Sequence, residues 1–207
     1  MCGRYATGTI SWAEYREKLD LVQPALNLEP SWNVKPTQKA PVITRDDDTN
    51  QMSQMSWGYQ FTIKGRKIPG FNARSEDVKW PYKFSVGKRH CLVPAIGFYE
   101  WTGPKGDRTP NFIYLKDDPL MMMAGLWEER DVGEETKSCF TILTAGPNEF
   151  MEPIHNRMPI ILSEDQWEPW LKADTLPDQL KNCASEEMAS HVVGKLSGDH
   201  QGLIDAA

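Results

Sequence analysis

The chain lacks the features that mark membrane, disulfide-rich and zinc-binding proteins. No apolar run among its 207 residues approaches the roughly 18 that a membrane helix needs. Its four cysteines (Cys2, Cys91, Cys139 and Cys183) lie far apart, and no Cys-x-x-Cys pair or His/Cys cluster suggests a zinc knuckle. The first residues contain no basic segment followed by an apolar one. We therefore expect no secretory signal, a reducing cytoplasmic compartment and free thiols.

What is present is the composition of one globular domain. The chain is 40% hydrophobic, 25% charged and 10% aromatic, as in ordinary globular proteins. Its 207 residues suffice to bury a core within a single domain spanning residues 1–207. We expect a monomer that spans no membrane and uses no metal or other cofactor.

Short β-branched and aromatic segments bounded by Gly, Pro and Asp predict strands. These segments are 2–6, 40–44, 52–58, 90–99, 111–116, 120–127, 138–144 and 191–196. Capping boxes starting at Ser11 and Ser163 predict two helices, and short turns are predicted at 75–80 and 184–190. Many strands with few helices predict an α+β fold, with a curled or barrel-like, mostly antiparallel β core flanked by short helices.

The net charge of −6 is unevenly distributed along the chain. Residues 1–110 contain 16 Lys and Arg against 11 Asp and Glu, whereas residues 111–207 contain 7 against 18. The basic excess is sharpest in residues 64–89, which contain eight Lys and Arg and two acidic residues. Such a stretch is either a solvated face or a local polyanion-binding surface, and charge alone favours the solvated face.

The start of the chain, Met1-Cys2-Gly3, is the first feature that could carry chemistry. Removal of Met1 would leave Cys2 with a thiol beside an α-amine, whose pKa is ordinarily about 7.7–8.0. Such a residue can condense with an aldehyde through its amine and then close a thiazolidine ring through its sulfur. Alternatively its thiol can attack an acyl group. Cys2 could equally be a small residue at position two without a chemical role.

Three further polar residues stand in unusual contexts. Asn72 lies in a Gly-containing turn, where its amide can orient an amine or a carbonyl. Glu100 ends an apolar strand between two aromatic residues, a setting that favours general acid/base chemistry. His155 lies in a loop before an apolar strand and could shuttle a proton. Asn72 could also simply satisfy turn backbone groups, and Glu100 could face water at a strand end.

Together and in this order, these residues resemble the SRAP (SOS-response-associated peptidase) family. The similarity extends over nearly the whole chain in a series of ordered blocks. The blocks are Met1–Tyr5, Trp32–Thr37, Met55–Gly58, Phe71–Glu76, Cys91–Pro94, Gly97–Trp101, Ala124–Trp127, Phe140–Thr144 with Asn148, and His155–Pro159. Members of this family shield abasic sites in single-stranded DNA by covalent crosslinking during the DNA damage response. The resemblance implies a β-barrel-like core with a basic cleft for that DNA.

The resemblance also implies roles for individual residues. Cys2 would crosslink to the ring-opened aldehyde of an abasic site after a peptidase-like removal of Met1. Asn72 would hold the amine, Glu100 would act as the base, and His155 would act as the acid that opens the sugar ring. Trp57 and Trp101 would stack on bases beside the lesion. The full set of expected DNA contacts is Arg4, Pro36, Trp57, Arg74, Trp101 and Thr144.

Two other functions remain open at this stage. An N-terminal-nucleophile glutamine amidotransferase also begins Met-Cys-Gly, and Cys2 would then attack a glutamine amide. A non-catalytic single-strand-binding module would explain the basic stretch and the aromatics, although it would not explain the four polar residues together. Glutaminase activity would identify the first alternative, and the lack of protein on boiled DNA would identify the second.

Overall fold

The computed structural model describes residues 2–63, 66–132, 135–176, 180 and 182–207. Within these ranges the chain forms two α-helices, four 3-10 helices and fourteen strands. The strands are β1 (Tyr5–Ala6), β2 (Lys39–Asp46), β3 (Thr49–Trp57), β4 (Tyr59–Ile63), β5 (Arg66–Gly70), β6 (Asn72–Arg74), β7 (His90–Ala95), β8 (Gly97–Thr102), β9 (Thr109–Leu115), β10 (Met121–Val132), β11 (Glu135–Ala145), β12 (Met158–Pro159), β13 (Ile161–Leu162) and β14 (Met188–Val192). The α-helices are α1 (Trp12–Leu19) and α2 (Glu164–Lys172). The 3-10 helices are Ser75–Asp77, Tyr82–Phe84, Ser185–Glu187 and Gln201–Ile204.

Five strands close into a barrel, which confirms the predicted α+β fold with a barrel-like core. They follow the order β11, β3, β2, β7 and β10, and β10 pairs again with β11. Most pairings are antiparallel, while β11 pairs in parallel with β3 and with β6. Closure leaves no unpaired edge within the ring, so its strands form a fixed frame for the segments attached to it.

Alternate residues of the barrel strands enter two separate apolar cores. Met121 and Met123 of β10 pack in the first core, together with Cys2 and Trp57. Met122, between them, packs in a second core that the two helices cover. This alternation follows from the two-residue period of a strand, whose successive side chains point to opposite faces.

A second sheet, in the order β1-β8-β9-β14, carries the N-terminal segment. In β1, Tyr5 pairs with Phe98 of β8 on one side and forms a bridge with Val34 on the other. The Tyr99 N–H donates to the Arg4 carbonyl at 2.9 Å, which extends the pairing toward Cys2. The start of the chain is therefore held between β8 and the segment that contains Val34.

The local sequence signals agree with the structure at the helices and less well at some strands. Both capping boxes are present, at the start of α1 and at the start of α2. The strand predicted at 191–196 is wrong in position, because β14 runs from Met188 to Val192. The hairpin of β4 and β5 was not predicted, although β4 alternates apolar and polar residues; only β5, with Arg66 and Lys67, lacks that alternation.

The cysteines and helices also bear on the sequence expectations. All four cysteines are free thiols, as expected. Across the described part of the chain, no helix is both long enough and apolar enough to cross a membrane.

Candidate active site

Cys2 lies just before β1 and is fully buried in the first core. Its thiol is 3.8 Å from the carbonyl oxygen of Arg4. Burial raises the pKa of the Cys2 thiol far above its usual range, and the negative charge of Glu100 raises it further. The thiol therefore stays protonated at neutral pH, and its reaction as a nucleophile requires a group nearby that accepts the proton.

Asn72 connects this N-terminal segment to the barrel. It is the first residue of β6, and its parallel pairing with Ile142 of β11 fixes its position. The Asn72 Nδ2 group donates to the Cys2 carbonyl oxygen at 2.8 Å. The Asn72 Oδ1 atom is buried and accepts no hydrogen bond from any described residue. The Asn72 side chain therefore fixes the Cys2 backbone through Nδ2, and its Oδ1 atom lies nearby as a second polar atom that can accept a hydrogen bond.

Glu100 reaches the same core from the second sheet. Its side chain is buried at 4% exposure. Because residues two apart in a strand share a face, Glu100 points to the same side of β8 as Phe98, which packs in the first core with Cys2. This placement agrees with the effect of its charge on the Cys2 thiol. A buried carboxylate beside a thiol is suited to accept the proton of that thiol.

His155 lies in the loop between β11 and β12. The Arg157 backbone N–H donates to His155 Nδ1 at 3.0 Å, and the Arg157 carbonyl oxygen is 3.1 Å from the same nitrogen. When Nδ1 accepts that N–H, the neutral ring carries its proton on Nε2. The preceding residue, Ile154, packs against the core that contains Cys2. The loop thus holds His155 next to a residue that packs against this core.

Arg157 is a functional candidate that the sequence patterns did not single out. Its guanidinium makes a two-pronged contact with the Glu76 carboxylate, through Nη1 to Oε1 and through Nη2 to Oε2. Nη2 also donates to the Thr144 carbonyl oxygen at 2.5 Å and to Thr144 Oγ1 at 3.2 Å. Thr144 Oγ1 in turn donates to the Ala73 carbonyl oxygen at 3.3 Å. This chain of contacts links the His155 loop to the strand that carries Asn72.

The signal for the Arg157–Glu76 pair was present but could not be interpreted from sequence. Both residues lie in blocks that carry the family resemblance, yet 81 positions separate them. The Arg157 guanidinium holds the pKa of the Glu76 carboxyl below its usual value. The pair is therefore ionised at neutral pH, and it fixes the position of the loop electrostatically.

The four predicted catalytic residues thus come from different parts of the fold, and three of them, Cys2, Asn72 and Glu100, lie close together. Cys2 and Asn72 are joined by a hydrogen bond, and Glu100 acts electrostatically on Cys2. His155 is connected to the strand of Asn72 through Arg157. Among the described residues, no group of three or more His, Cys, Asp or Glu side chains is arranged to hold a metal ion.

Four of the predicted DNA contacts reach the surface. Arg74 is exposed, and Arg4, Pro36 and Trp101 are half-buried. The Arg4 guanidinium lies 5.6 Å from the centre of the Trp101 ring, a cation–π contact. Arg4 also donates to Asn33 Oδ1 at 3.3 Å, which holds the guanidinium in place.

The structure corrects the expectation for Trp57 and Thr144, because both side chains are fully buried. Trp57 stacks on Phe140 at 6.4 Å, and its Nε1 group donates to the Phe71 carbonyl oxygen at 2.8 Å. Its position at the inward-facing end of β3 leaves no ring face for a base to stack on. Thr144 is enclosed by its bonds to Ala73 and Arg157.

The basic stretch at 64–89 is partly described. Lys64 and the side chains of Arg66 and Lys67 lie outside the described residues. Lys79, Lys83 and Lys88 are exposed, whereas Arg89 is half-buried. The stretch contains β5 and β6 and includes the exposed Arg74.

Comparisons with known proteins show which family the chain is similar to. The model of the family described as SOS response associated peptidase (SRAP) matches residues 1–198. The chain is 33% identical to the abasic site processing protein YoaM of Bacillus subtilis, over 95% of this chain and 92% of that protein. It is 30% identical to the abasic site processing protein HMCES of Xenopus tropicalis, over 74% of this chain and 57% of that protein. The crystal structure of a phage-related protein from Bordetella bronchiseptica matches with a TM-score of 0.76 and 26% identity, over 99% of this chain and 100% of that one.

Proposed function

The chain belongs to the SOS response associated peptidase (SRAP) family, and we propose that it processes abasic sites in single-stranded DNA by forming a covalent crosslink through Cys2. The names of its relatives as abasic site processing proteins support the general activity. The observation that carries the specific proposal is the hydrogen bond from Asn72 to the Cys2 carbonyl, beside the buried Glu100 carboxylate.

The proposal requires that Met1 is removed first. An amide nitrogen is not a nucleophile, whereas the free α-amine of Cys2 is partly neutral at neutral pH. Hydrolysis of the Met1–Cys2 bond adds one water molecule and releases Met1 with the new carboxyl group. We assign this peptidase-like step to Cys2 itself, because Cys2 is the residue whose α-amine the hydrolysis releases.

The first covalent step joins the Cys2 amine to the C1′ aldehyde of the ring-opened sugar. The nitrogen lone pair forms the C–N bond, and Glu100 accepts the proton that the amine loses. His155 opens the sugar ring by donating a proton to the ring oxygen and regains one from the C1′ hydroxyl. When the amine adds, His155 protonates the new C1′ oxygen, and Glu100 passes the amine proton to that hydroxyl group, which leaves as water. The nitrogen then returns its remaining proton to His155. The product is a Schiff base between the Cys2 nitrogen and C1′.

The second step closes the ring. The Cys2 sulfur attacks the imine carbon and forms a C–S bond, while the C=N π electrons move to the nitrogen. Glu100 accepts the thiol proton and passes it to the nitrogen, so the thiazolidine forms without further loss of atoms. The net reaction releases one water molecule. Asn72 holds the Cys2 backbone so that amine and thiol approach the same carbon.

The DNA strand is bound through phosphate and base contacts around this site. Arg4 and Arg74 supply positive charge for phosphates, and Trp101 and Pro36 supply apolar surfaces for bases. The Arg4–Trp101 contact places a guanidinium and an aromatic ring side by side, a combination suited to a sugar–phosphate backbone with an adjacent base.

The test uses protein that begins at Cys2 and a single-stranded oligonucleotide with one abasic site. Intact mass should increase by the mass of the oligonucleotide minus one water molecule, and the product should survive boiling on a denaturing gel. Protein with an uncleavable N-terminal extension is the control and should not crosslink. No heat-stable product from the Cys2 form would overturn the proposal and leave a non-catalytic binding module.

A Cys2→Ser variant separates the two nucleophiles. The amine remains, so the Schiff base still forms and borohydride traps it as a secondary amine. Ring closure is lost, so little heat-stable product forms without reduction, and the exposed imine promotes strand cleavage by elimination. A Cys2→Ser crosslink that is as heat-stable as wild type without reduction would contradict the thiazolidine.

A further inference from the structure

Two large aromatic side chains lie on the protein surface outside the site described above. Trp80 is 51% exposed and Phe84 is 65% exposed. Among the described residues they are the exposed large aromatics, and the other large hydrophobic residues that reach water to this extent are Val22 and Val192. Exposing this much aromatic surface is unfavourable unless another molecule covers it.

The backbone beneath these rings is anchored rather than loose. Tyr82, which lies between them in the chain, packs against Tyr59 of β4 with ring centres 5.0 Å apart. The Tyr59 hydroxyl is 2.9 Å from Ser85 Oγ. On the outer side, Trp80 meets Phe61 edge-on at 5.5 Å. The segment is therefore fixed to β4 through Tyr82 and Ser85, while Trp80 and Phe84 keep half or more of their surface exposed.

The same surface carries positive charge. The Lys83 Nζ atom lies 5.3 Å from the centre of the Phe84 ring. Lys83 has no acidic partner among the described residues, whereas Lys79 pairs with Asp77 at 2.6 Å. The surface formed by Lys79, Trp80, Lys83 and Phe84, here called the aromatic–basic surface, therefore combines two aromatic faces with a net positive charge.

This combination fits single-stranded nucleic acid better than a protein. Single strands are bound by aromatic rings on which bases stack and by cations that track the phosphates. The surface also lies near the proposed DNA path, because only five residues separate Arg74 from Trp80. That segment spans at most about 20 Å, which a few nucleotides of DNA bridge.

We propose that the aromatic–basic surface binds the single-stranded DNA that flanks the lesion, with bases stacked on Trp80 and Phe84 and a phosphate beside Lys83. This inference rests on the proposed function, which places the abasic site at Cys2 and so defines the side on which the flanking strand reaches this surface. Its consequence is an affinity that increases with the length of the DNA on one side of the abasic site. Each ring should contribute roughly a tenfold gain in affinity for DNA long enough to reach it.

The test measures binding of undamaged oligonucleotides by fluorescence anisotropy, so that it does not depend on crosslinking. The oligonucleotides are about five and about fifteen nucleotides long. Trp80→Ala and Phe84→Ala should each weaken binding of the long oligonucleotide roughly tenfold, and the difference from wild type should shrink for the short one. Trp80→Phe should keep most of the affinity, because it retains a stacking face.

Two matched controls remove similar groups elsewhere. Val22→Ala removes an exposed apolar side chain, and Lys105→Ala removes an exposed positive charge in the turn between β8 and β9. Neither should reproduce the loss caused by Trp80→Ala or Phe84→Ala. Wild-type affinity of both aromatic variants for the long oligonucleotide would overturn the inference, and the surface would then serve a partner other than DNA.

A second measurement determines on which side of the abasic site the flanking DNA reaches the aromatic–basic surface. Oligonucleotides with the abasic site at either end should crosslink to wild type at different rates under subsaturating conditions, and Trp80→Ala should remove that difference. A persistent difference in Trp80→Ala would contradict the inference. Failure of wild type to crosslink, together with weaker DNA binding by Trp80→Ala, would reject the proposed function and leave the aromatic–basic surface supported.

Discussion

The closed barrel and the four-stranded sheet use their residues in different ways. In the barrel strand β7, both faces are apolar and buried, as with Leu92 and Val93 on its opposite sides. In the four-stranded sheet, the buried positions beside the chain start include Cys2 and Glu100. The barrel is a closed frame, and the four-stranded sheet positions Cys2 and Glu100 beside it.

The candidate site lies at the boundary where the four-stranded sheet meets the barrel, here called the seam. The sheet supplies Cys2 and Glu100, while segments attached to the barrel supply Asn72 and His155. The hydrogen bond from Asn72 to Cys2 crosses this seam. The comparison teaches that the geometry of the site depends on how the short strand β1 docks on the barrel, and the following variants test that dependence.

The largest effects are expected from one acid/base residue on each side of the seam. His155→Ala and Glu100→Gln should each slow crosslinking by roughly 10²–10⁴-fold, because each removes a proton-transfer group. The measurement is the single-turnover rate at saturating abasic DNA, with thermal unfolding as the check on folding. A wild-type rate in either variant would remove that residue from the mechanism.

Substitutions of two tryptophans should distinguish a residue that stabilises the barrel from one that binds DNA at the surface. Trp57→Ala should lower the free energy of unfolding by about 3–5 kcal/mol, because it empties a fully buried position in the first core. Trp101→Ala, at a half-buried position, should cost far less stability and should weaken DNA binding by about 1–3 kcal/mol. Denaturant unfolding and anisotropy measure the two quantities. Equal stability losses in the two variants would contradict this contrast.

These two residues also show what could be predicted from the sequence. Trp57 and Trp101 both follow strand patterns and lie in family-like blocks, so sequence alone could not tell which ring reaches the surface. The capping boxes at Ser11 and Ser163 were predictable because every contact in them lies within three residues. The barrel-like core was predictable as a class, because many short strands with few helices have few other arrangements.

What could not be predicted depends on contacts between distant parts of the chain. The register that closes β10 on β11 and the pairing of Arg157 with Glu76 leave no local pattern. The exposure of Trp80 depends on tertiary packing, in which its neighbour Tyr82 contacts Tyr59 of β4. Tertiary packing decides these features, and the residue types alone are compatible with other outcomes.

The next prediction breaks the hydrogen bond across the seam. Asn72→Ala leaves the buried Cys2 carbonyl without its donor, so it should lower the free energy of unfolding by about 1–3 kcal/mol and also slow crosslinking. Asn50→Ala is the matched control, because the Asn50 Nδ2 group likewise donates to a buried backbone carbonyl, that of Leu19 at 2.9 Å, away from the seam. The control should lose stability and keep the crosslinking rate. An unchanged rate in Asn72→Ala would show that the seam contact is only structural.

A smaller effect is expected from the two arginines that flank the seam. Arg4→Ala and Arg74→Ala should each reduce the slope of log affinity against log salt by about 0.7, the value for one phosphate contact on a single strand. Binding of undamaged single-stranded DNA at several salt concentrations measures this slope. Arg16→Ala, on the exposed face of α1, is the control and should keep it. An unchanged slope in both test variants would place the DNA path elsewhere.

The smallest effect concerns the ion pair of Glu76 with Arg157, which holds the His155 loop against the barrel. Because Arg157 lowers the pKa of Glu76 in the folded protein, the pair stabilises the fold above about pH 4.3, the usual value in an unfolded chain, and this contribution is lost as the pH falls through the lower folded pKa. Glu76→Gln should therefore reduce stability at pH 7 by less than about 1 kcal/mol, since the carboxylate is half-exposed, and the difference from wild type should vanish in acid. Glu168→Gln is the matched control: Lys172, Asn50 and Arg45 likewise lower the pKa of Glu168, but it lies on α2, away from the seam. Both variants should show the same pH trend in thermal unfolding, and only Glu76→Gln should also slow crosslinking, because only its partner positions His155. Equal crosslinking rates in the two variants would mean that the ion pair stabilises the fold without positioning the loop.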